Sequence, residues 1–354
     1  MTDIRPGQGR LAHAPADHPV VKAPKIGVLL ANLGTPDGHD YWSVRRYLNE
    51  FLSDKRVVDL PDWKWQPILQ GIILTFRPSK TGANYRKIWN HDINESPLLT
   101  ITRAQTAALS AAIAARHGDA VLVDFCMRYG NPSTASRVKA MVAAGCEKIL
   151  FFPLYPHYAG ATSATANDAF FRALMQEKRQ PAVRTVAEYF DHPAYVAALA
   201  NSVRRAWDAA PVKPQKLVAS YHGMPIRYLM EGDPYLCQCA RTTRLLREAL
   251  GWEPSAIDTT FQSVFGREEW LKPYTVNHVA DLAKRGVVNI AVIAPAFSAD
   301  CIETLDEIQG EIRESFLHAG GQTFTYIPCL NDQPDHIEAL TQVIEANLAG
   351  WLPA

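Results

Sequence analysis

Short apolar runs separated by longer amphipathic segments make up most of this chain, and that alternation decides the expected fold class. Apolar runs bounded by polar or turn-forming residues predict buried strands at 26–32, 121–126, 149–154, 185–189, 216–221, 257–262, 289–294 and 324–328. Between them, apolar residues recur every three or four positions over 101–116, 136–144, 194–209, 241–250, 274–285 and 302–318, the spacing of a helix that buries one stripe. Strand followed by helix, repeated, is the pattern of βαβ units and of a parallel sheet covered on both faces.

Eight strands with ordinary connections are too many for one small sheet. The expected fold is therefore α/β, with two similar doubly wound, Rossmann-like domains. The halves echo each other faintly: IGVLLANLG at 26–34 and LVASYHG at 217–223 both run as a strand into a polar turn and a glycine. The break is expected near 155–159, which gives one domain over 25–156, a second over 157–330, and a last helix at 336–348 in a segment, 331–354, that returns to the first. Residues 1–24, rich in Pro, Gly, Ala and His, read as a disordered leader and lack the apolar core of a signal peptide.

Lys+Arg and Asp+Glu are equal at 36 each, so no global positive field favours nucleic acid. The six cysteines are scattered through a long chain, which suits reduced thiols and a cytoplasmic location, with no disulfides expected. No run is expected to span a bilayer, because the apolar stretch 68–76 is short and ends at Arg77 and Lys80.

In doubly wound sheets a ligand sits beyond the carboxyl ends of the strands, so the residues there are the ones to weigh. After the first strand, Asn32-Leu33-Gly34-Thr35-Pro36-Asp37 has one glycine where a dinucleotide fingerprint needs three, and a nucleotide cofactor is disfavoured. Met127-Arg128-Tyr129-Gly130 and Tyr155-Pro156-His157-Tyr158 collect aromatic and cationic groups, which suits a large flat anion or a packed aromatic rim. His222 ends another strand and precedes Gly223-Met224-Pro225, so its imidazole stands at the cleft edge, as a structural hydrogen-bonding group or as a metal ligand and proton acceptor. After the strand at 289–294, Glu303, Glu307 and Glu311 stand four apart on one helix, with Asp300 just before it. Like charges so stacked repel by a few tenths of a kcal/mol, roughly, per pair. The row is a solvated acidic face or a relay for protons and a hard divalent cation.

Taken together these segments resemble the ferrochelatase family. Ser220-Tyr221-His222-Gly223-Met224-Pro225 followed by Gly232-Asp233-Pro234-Tyr235 is similar to its signature, and Ile302-Glu303-Thr304-Leu305 to its second active-site motif. LANLGTPD at 30–37, YLNEFLSDKRVVDL at 47–60, SPLLTIT at 96–102, MRYGNP at 127–132, FPLYPHY at 152–158, Gln262-Ser263 and Trp270-Leu271 extend the match over all but the first two dozen residues.

The resemblance implies a chelatase-like fold with the active site in a cleft between the domains, and an enzyme that inserts Fe2+ into protoporphyrin IX to make haem. It makes His222 and Glu303 the catalytic, metal-facing pair. Asp300 and Glu307, with Glu311, form the acidic relay, and Leu33, Arg77, Lys80, Tyr85, Arg128, Tyr129 and Trp270 bind the porphyrin. Iron is then a substrate, and no permanent cofactor is expected. Some family members hold an iron–sulfur cluster on four cysteines, but Gly160 stands at one of those places and no cysteine follows Cys329. Cys237 and Cys239 are expected to be free. The apolar stretch 63–76, with Trp63, Trp65 and Ile68 to Phe76, is expected to form a lip of the pocket that rests on a membrane surface, the alternative being a buried helix with Pro67 in its first turn. The alternatives in function are a chelatase for another metal or tetrapyrrole, and a non-enzymatic porphyrin or haem carrier.

Overall fold

A computed structural model of the chain describes Asp17 and residues 22–266 and 268–352. Of the leader expected over 1–24, all but Asp17 and 22–24 lies outside the described residues.

Two four-stranded parallel sheets organise the chain. The first contains β1 (Lys25–Thr35), β2 (Val121–Gly130), β3 (Cys146–Pro153) and β4 (Ala182–Thr185), in the order β2-β1-β3-β4. The second contains β5 (Lys216–His222), β6 (Ile257–Gln262), β7 (Asn289–Ile293) and β8 (Thr323–Ile327), in the order β6-β5-β7-β8. The two orders are the same once each half is numbered from its own first strand, so the faint echo between 26–34 and 217–223 reflects two central strands in equivalent places.

The helices of the first part are α1 (Tyr41–Leu52), α2 (Asp62–Ile68), α3 (Leu74–Ile88), α4 (Pro97–His117), α5 (Thr134–Ala144) and α6 (Thr165–Leu174). Those that follow are α7 (Pro193–Ala209), α8 (Ile226–Met230), α9 (Tyr235–Leu250), α10 (Thr275–Lys284), α11 (Arg313–His318) and α12 (Pro334–Leu348). Strand alternation explains how they pack. Val28 and Leu30 of β1 and Leu150 and Phe152 of β3 face a central apolar layer that also takes Leu109 and Ile113 of α4. Leu29, Ala31, Ile149 and Phe151 point the other way, toward Val138 and Met141 of α5 and Phe170 of α6. The Phe151 and Phe170 rings stack with centroids 4.3 Å apart, a pairing that adds about 0.5–1.5 kcal/mol beyond the area it buries.

The same central layer continues through α7, α9 and α12 to Leu217, Ala219 and Tyr221 of β5 and Ala291 and Ile293 of β7. Val218, Ile290 and Val292 face outward to α10 and to Ile308, Ile312 and Phe316. The two sheets thus share one helical layer between them, and α12 packs on both α4 and α7.

Three sequence expectations are corrected. The fourth strand lies at 182–185 and pairs with β3, Ile149 opposite Val183, so the first sheet extends well past the break expected at 155–159. A short edge strand carries no sequence mark of the sheet it joins. One helical stretch, Pro97–Ala120, is long and apolar enough to cross a membrane by length and composition. It instead packs against β1, β2 and α12, and its buried Gln105 donates to Ser298 O and Asn331 O at 3.0 Å each. Pro67 is the sixth residue of α2 and not in its first turn. Lacking an N–H, it breaks the ordinary ladder, and a π-helical turn at Leu69–Ile73 follows before α3 begins.

Candidate active site

His222 is set by the strand that carries it. Gly223 N–H donates to Gln262 O at 2.7 Å, and a Cβ on Gly223 would stand 2.6 Å from that oxygen, so only glycine fits where β5 turns away from β6. His222 is half-buried, and its Nδ1 lies 2.8 Å from Gly223 O. A carbonyl only accepts, so Nδ1 carries the proton and Nε2 of the neutral ring keeps its lone pair for a metal or a proton.

The acidic row lies on a π-helical segment, Glu303–Ile312, which continues into α11. Glu303 and Glu307 are half-buried and Glu311 is exposed. Glu307 Oε1 accepts from Ser263 N–H at 2.6 Å, and its Oε2 from Ser263 Oγ at 2.5 Å and Gln262 Nε2 at 3.2 Å. Burial pushes the Glu307 carboxyl above its ordinary range, and the Glu303 charge adds to that, while the Ser263 bonds and nearby His222 oppose it. Glu303 faces the first half of the chain: burial raises the Tyr85 phenol's pKa, and the Glu303 carboxylate raises it further. The segment is also tied to α3 by an ion pair between Lys87 and Asp306 at 2.9 Å, which in its exposed setting is worth about 0–1 kcal/mol.

Asp300 precedes this row and is held by partners of its own. Its Oδ1 accepts from Thr304 Oγ1 at 2.9 Å and Tyr326 OH at 2.5 Å, and its Oδ2 from Asn331 Nδ2 at 2.7 Å. Buried and held on both oxygens, it anchors the loop from which the π-helical segment starts. Three hydrogen bonds from side chains thus fix the orientation of this carboxylate.

The porphyrin-binding residues expected from the sequence fall into two groups. Trp270 is buried against Gly223, its ring 3.1 Å from where a Cβ there would sit, and its ring lies 4.9 Å from that of Phe265, tilted by 58°. Leu33 is half-buried at the end of β1, and Tyr85 is buried on α3. Arg77 and Lys80, also on α3, are exposed and lie outside the ion pairs found among the described residues. Arg128 and Tyr129 form the second group. The Arg128 guanidinium pairs with Asp54 and donates through Nε to Thr165 Oγ1 at 2.7 Å, while Tyr129 OH donates to Asp54 at 2.9 Å. Arg128 and Asp54 line a polar cleft of about 830 Å³, together with Arg56, Asp168, Tyr228 and Asp233, that does not include His222 or Glu303, whereas Tyr129 is fully buried behind them.

Asp54 and the clamp on Glu307 are what sequence reasoning missed. Asp54 lay inside the motif at 47–60 and Gln262-Ser263 was itself a matched pair, but no spacing rule connects either to its partner.

Comparison with known proteins identifies the family and the fold. A sequence model of the family described as Ferrochelatase matches residues 25–348. The chain is 68% identical to the ferrochelatase of Rhodobacter capsulatus over 97% of its own length and 98% of that protein's. It is 53% identical to the ferrochelatase of Rhizobium meliloti over 96% and 99%. Among solved structures it is similar to SirB from Bacillus subtilis with Fe3+, at a TM-score of 0.57 and 13% identity, covering 93% of this chain and 98% of that one. SirB from Bacillus subtilis subspecies spizizenii in complex with cobalt, a sirohydrochlorin chelatase, aligns at 0.52 and 12% identity, over 93% and 98%. At such low identity these two show the fold alone: an α/β chelatase architecture of two parallel sheets. With a family match across nearly all of its length and full-length relatives at up to 68% identity, the chain belongs to the ferrochelatase family.

Proposed function

We propose that this enzyme inserts Fe2+ into protoporphyrin IX, releasing two pyrrole protons and yielding protohaem, the closing step of haem synthesis, with His222 and Glu303 as its reacting pair. The observation that carries the assignment of roles is the Nδ1 contact of His222 with Gly223 O, which in the neutral ring leaves the Nε2 lone pair available beside the Glu303–Glu307 face. Metallation removes two N–H protons while a hydrated ion sheds water, so it needs a basic nitrogen and a carboxylate near the ring. Glu303 supplies the carboxylate at the junction with α3, and Glu307 a second, held charge behind it. Contacts remote from the ring nitrogens, Trp270 and Leu33 among them, offset the cost of bending the macrocycle, about 1–5 kcal/mol. Arg77 and Lys80, exposed and free of carboxylate partners among the described residues, suit the substrate's two propionates.

No permanent cofactor enters this reading. Cys237 is exposed and Cys239 buried on the same helix, so the two thiols do not make a common ligand set. The enzyme works in the cytoplasm with the lip formed by α2 and the start of α3 against a membrane. Trp63 is 75% exposed, Ile72 56% and Phe76 73%, a cluster of apolar and Trp side chains of the kind that settles at a headgroup region.

The test is anaerobic incubation of the enzyme with Fe2+ and protoporphyrin IX, followed by the haem absorption spectrum, alongside Co2+ with a sirohydrochlorin-type ring. Catalytic haem formation is the expected result. Metal insertion confined to the second ring makes the enzyme a chelatase for another tetrapyrrole, and tight haem binding without turnover makes it a carrier.

A further inference from the structure

Gln262 and Ser263 close β6 beside His222, and both reach across to the acidic segment. Gln262 is the register partner of His222. Its Oε1 accepts from the buried Ser220 Oγ at 2.6 Å, and its Nε2 donates to Glu303 O at 2.8 Å and Glu307 Oε2 at 3.2 Å. Glu303 O can only accept, so the amide has one orientation that satisfies every partner. Ser263 has φ +62, a left-handed conformation that residues other than glycine and asparagine rarely adopt. In that conformation its N–H and its Oγ meet the two oxygens of one carboxylate, that of Glu307, at 2.6 and 2.5 Å.

We infer that Ser263, braced by Gln262, is a positioning residue that holds the Glu307 carboxylate by both oxygens and so keeps the π-helical segment, with Glu303, in register with His222. The inference rests on the proposed role of the Glu303–Glu307 face. A carboxylate free to rotate can take a divalent cation through both oxygens. Clamped by Ser263, Glu307 is barred from that mode and acts as a fixed negative charge beside the metal path, which lets iron pass to the ring instead of being retained. The unusual backbone at Ser263 is then explained by its hydroxyl: glycine would relax there without strain but has no Oγ to offer.

That contrast supplies the test. Ser263→Gly removes the hydroxyl and relieves the backbone, so a purely structural Ser263 predicts an enzyme at least as stable and as active as the parent. Positioning predicts a thermal midpoint equal or higher, with kcat for Fe2+ insertion down by about 10- to 100-fold, the usual cost of losing a group that orients a metal-site ligand. KM for Fe2+ changes and KM for protoporphyrin does not. In a double-mutant cycle, Ser263→Gly added to Glu307→Gln costs little further, because both act through one carboxylate. Unchanged kinetics in Ser263→Gly, a fall in thermal midpoint that parallels the kinetic loss, or full additivity with Glu307→Gln each overturn the inference. Parental turnover in Glu307→Gln alone overturns the reading of the acidic face itself, and so separates the two failures.

Discussion

The central strands of the two sheets end alike. In β1 the last polar turn places Leu33 before Gly34, and in β5 it places His222 before Gly223. Each glycine is pressed against a carbonyl of the neighbouring strand: a Cβ would stand 1.8 Å from Tyr129 O at Gly34, and 2.6 Å from Gln262 O at Gly223. Gly34 also has φ +109. The close approach to a carbonyl is shared, though without the positive φ at Gly223, yet one half places an aliphatic side chain at the turn and the other an imidazole. The same split runs through the strands that follow. β2 ends in Arg128 and Tyr129, consumed by Asp54 and Thr165. β6 ends in Gln262, which with the following Ser263 holds the Glu307 carboxylate. Equivalent frames thus carry unequal side chains, and in the function proposed above the first half would supply wall and approach, the second the reacting groups.

The sharpest way to break this comparison is to make the second half resemble the first. His222→Leu should keep the fold, because the residue is half-buried at a strand end and its one hydrogen bond is to the adjacent carbonyl. Fe2+ insertion should fall by about 10²–10⁴-fold, the range for removing a positioned proton acceptor, while porphyrin binding, followed by fluorescence quenching, persists. Turnover within tenfold of the parent would place the reacting base elsewhere.

Next in size is the shared backbone device. Gly34→Ala meets both a carbonyl clash and a left-handed φ, so it should lose at least about 3 kcal/mol in chemical denaturation. Gly223→Ala meets the clash without the positive φ and should cost less. The reverse order would show that the two turns are not equivalent in energy, whatever their geometry.

These glycines also show what was legible in advance. The seven strands other than β4, the two glycines at the central strand ends, and the stripe of Ile308, Ile312 and Phe316 follow from local periodicity, so the two-sheet plan and the position of His222 were readable from residue type and spacing. Sheet membership of β4 was not, because four residues with an exposed, half-buried pattern fit an edge in either sheet. Nor were the partners of Asp300, whose carboxylate sits near the helix start as a relay residue would but is bound by Tyr326 and Asn331 from far along the chain. A long-range hydrogen bond has no local signature, so the partners that fix Asp300 could not be read from spacing.

A smaller and more graded effect tests order within the acidic row. Glu303→Gln should lower kcat by about 10²-fold or more, whereas exposed Glu311→Gln should stay within about twofold, a surface change away from any buried partner. Eight residues separate them, about 12 Å in α-helical rise and somewhat less in the wider π-helical turn. Steady-state kinetics at saturating porphyrin decide it. Equal losses at both positions would make the row a general acidic surface, and the division between reacting and bystander carboxylates would fail.

The smallest expected effect on the folded protein, and the one that probes the first half on its own terms, is at the lip. Trp63, Ile68 and Ile72 lie on α2 and the π-helical turn after it, with exposures of 75, 41 and 56%. Leu69 and Leu74, woven between them, are fully buried with Val44 and Tyr129. Side chains already in water lose little on replacement, so changing Trp63, Ile68 and Ile72 together to Ser should alter stability by less than about 0.5 kcal/mol per site. Leu69→Ala, by contrast, should cost about 2–5 kcal/mol because it opens a cavity. If the first half provides the approach, the triple variant should bind anionic liposomes less tightly and show a raised KM for protoporphyrin delivered in lipid, with kcat for detergent-dispersed substrate unchanged. That split is informative because a defect in chemistry would lower kcat under both conditions. Loss of a cooperative thermal transition in the triple variant would mean that these side chains are packed in solution, and the lip would then be core.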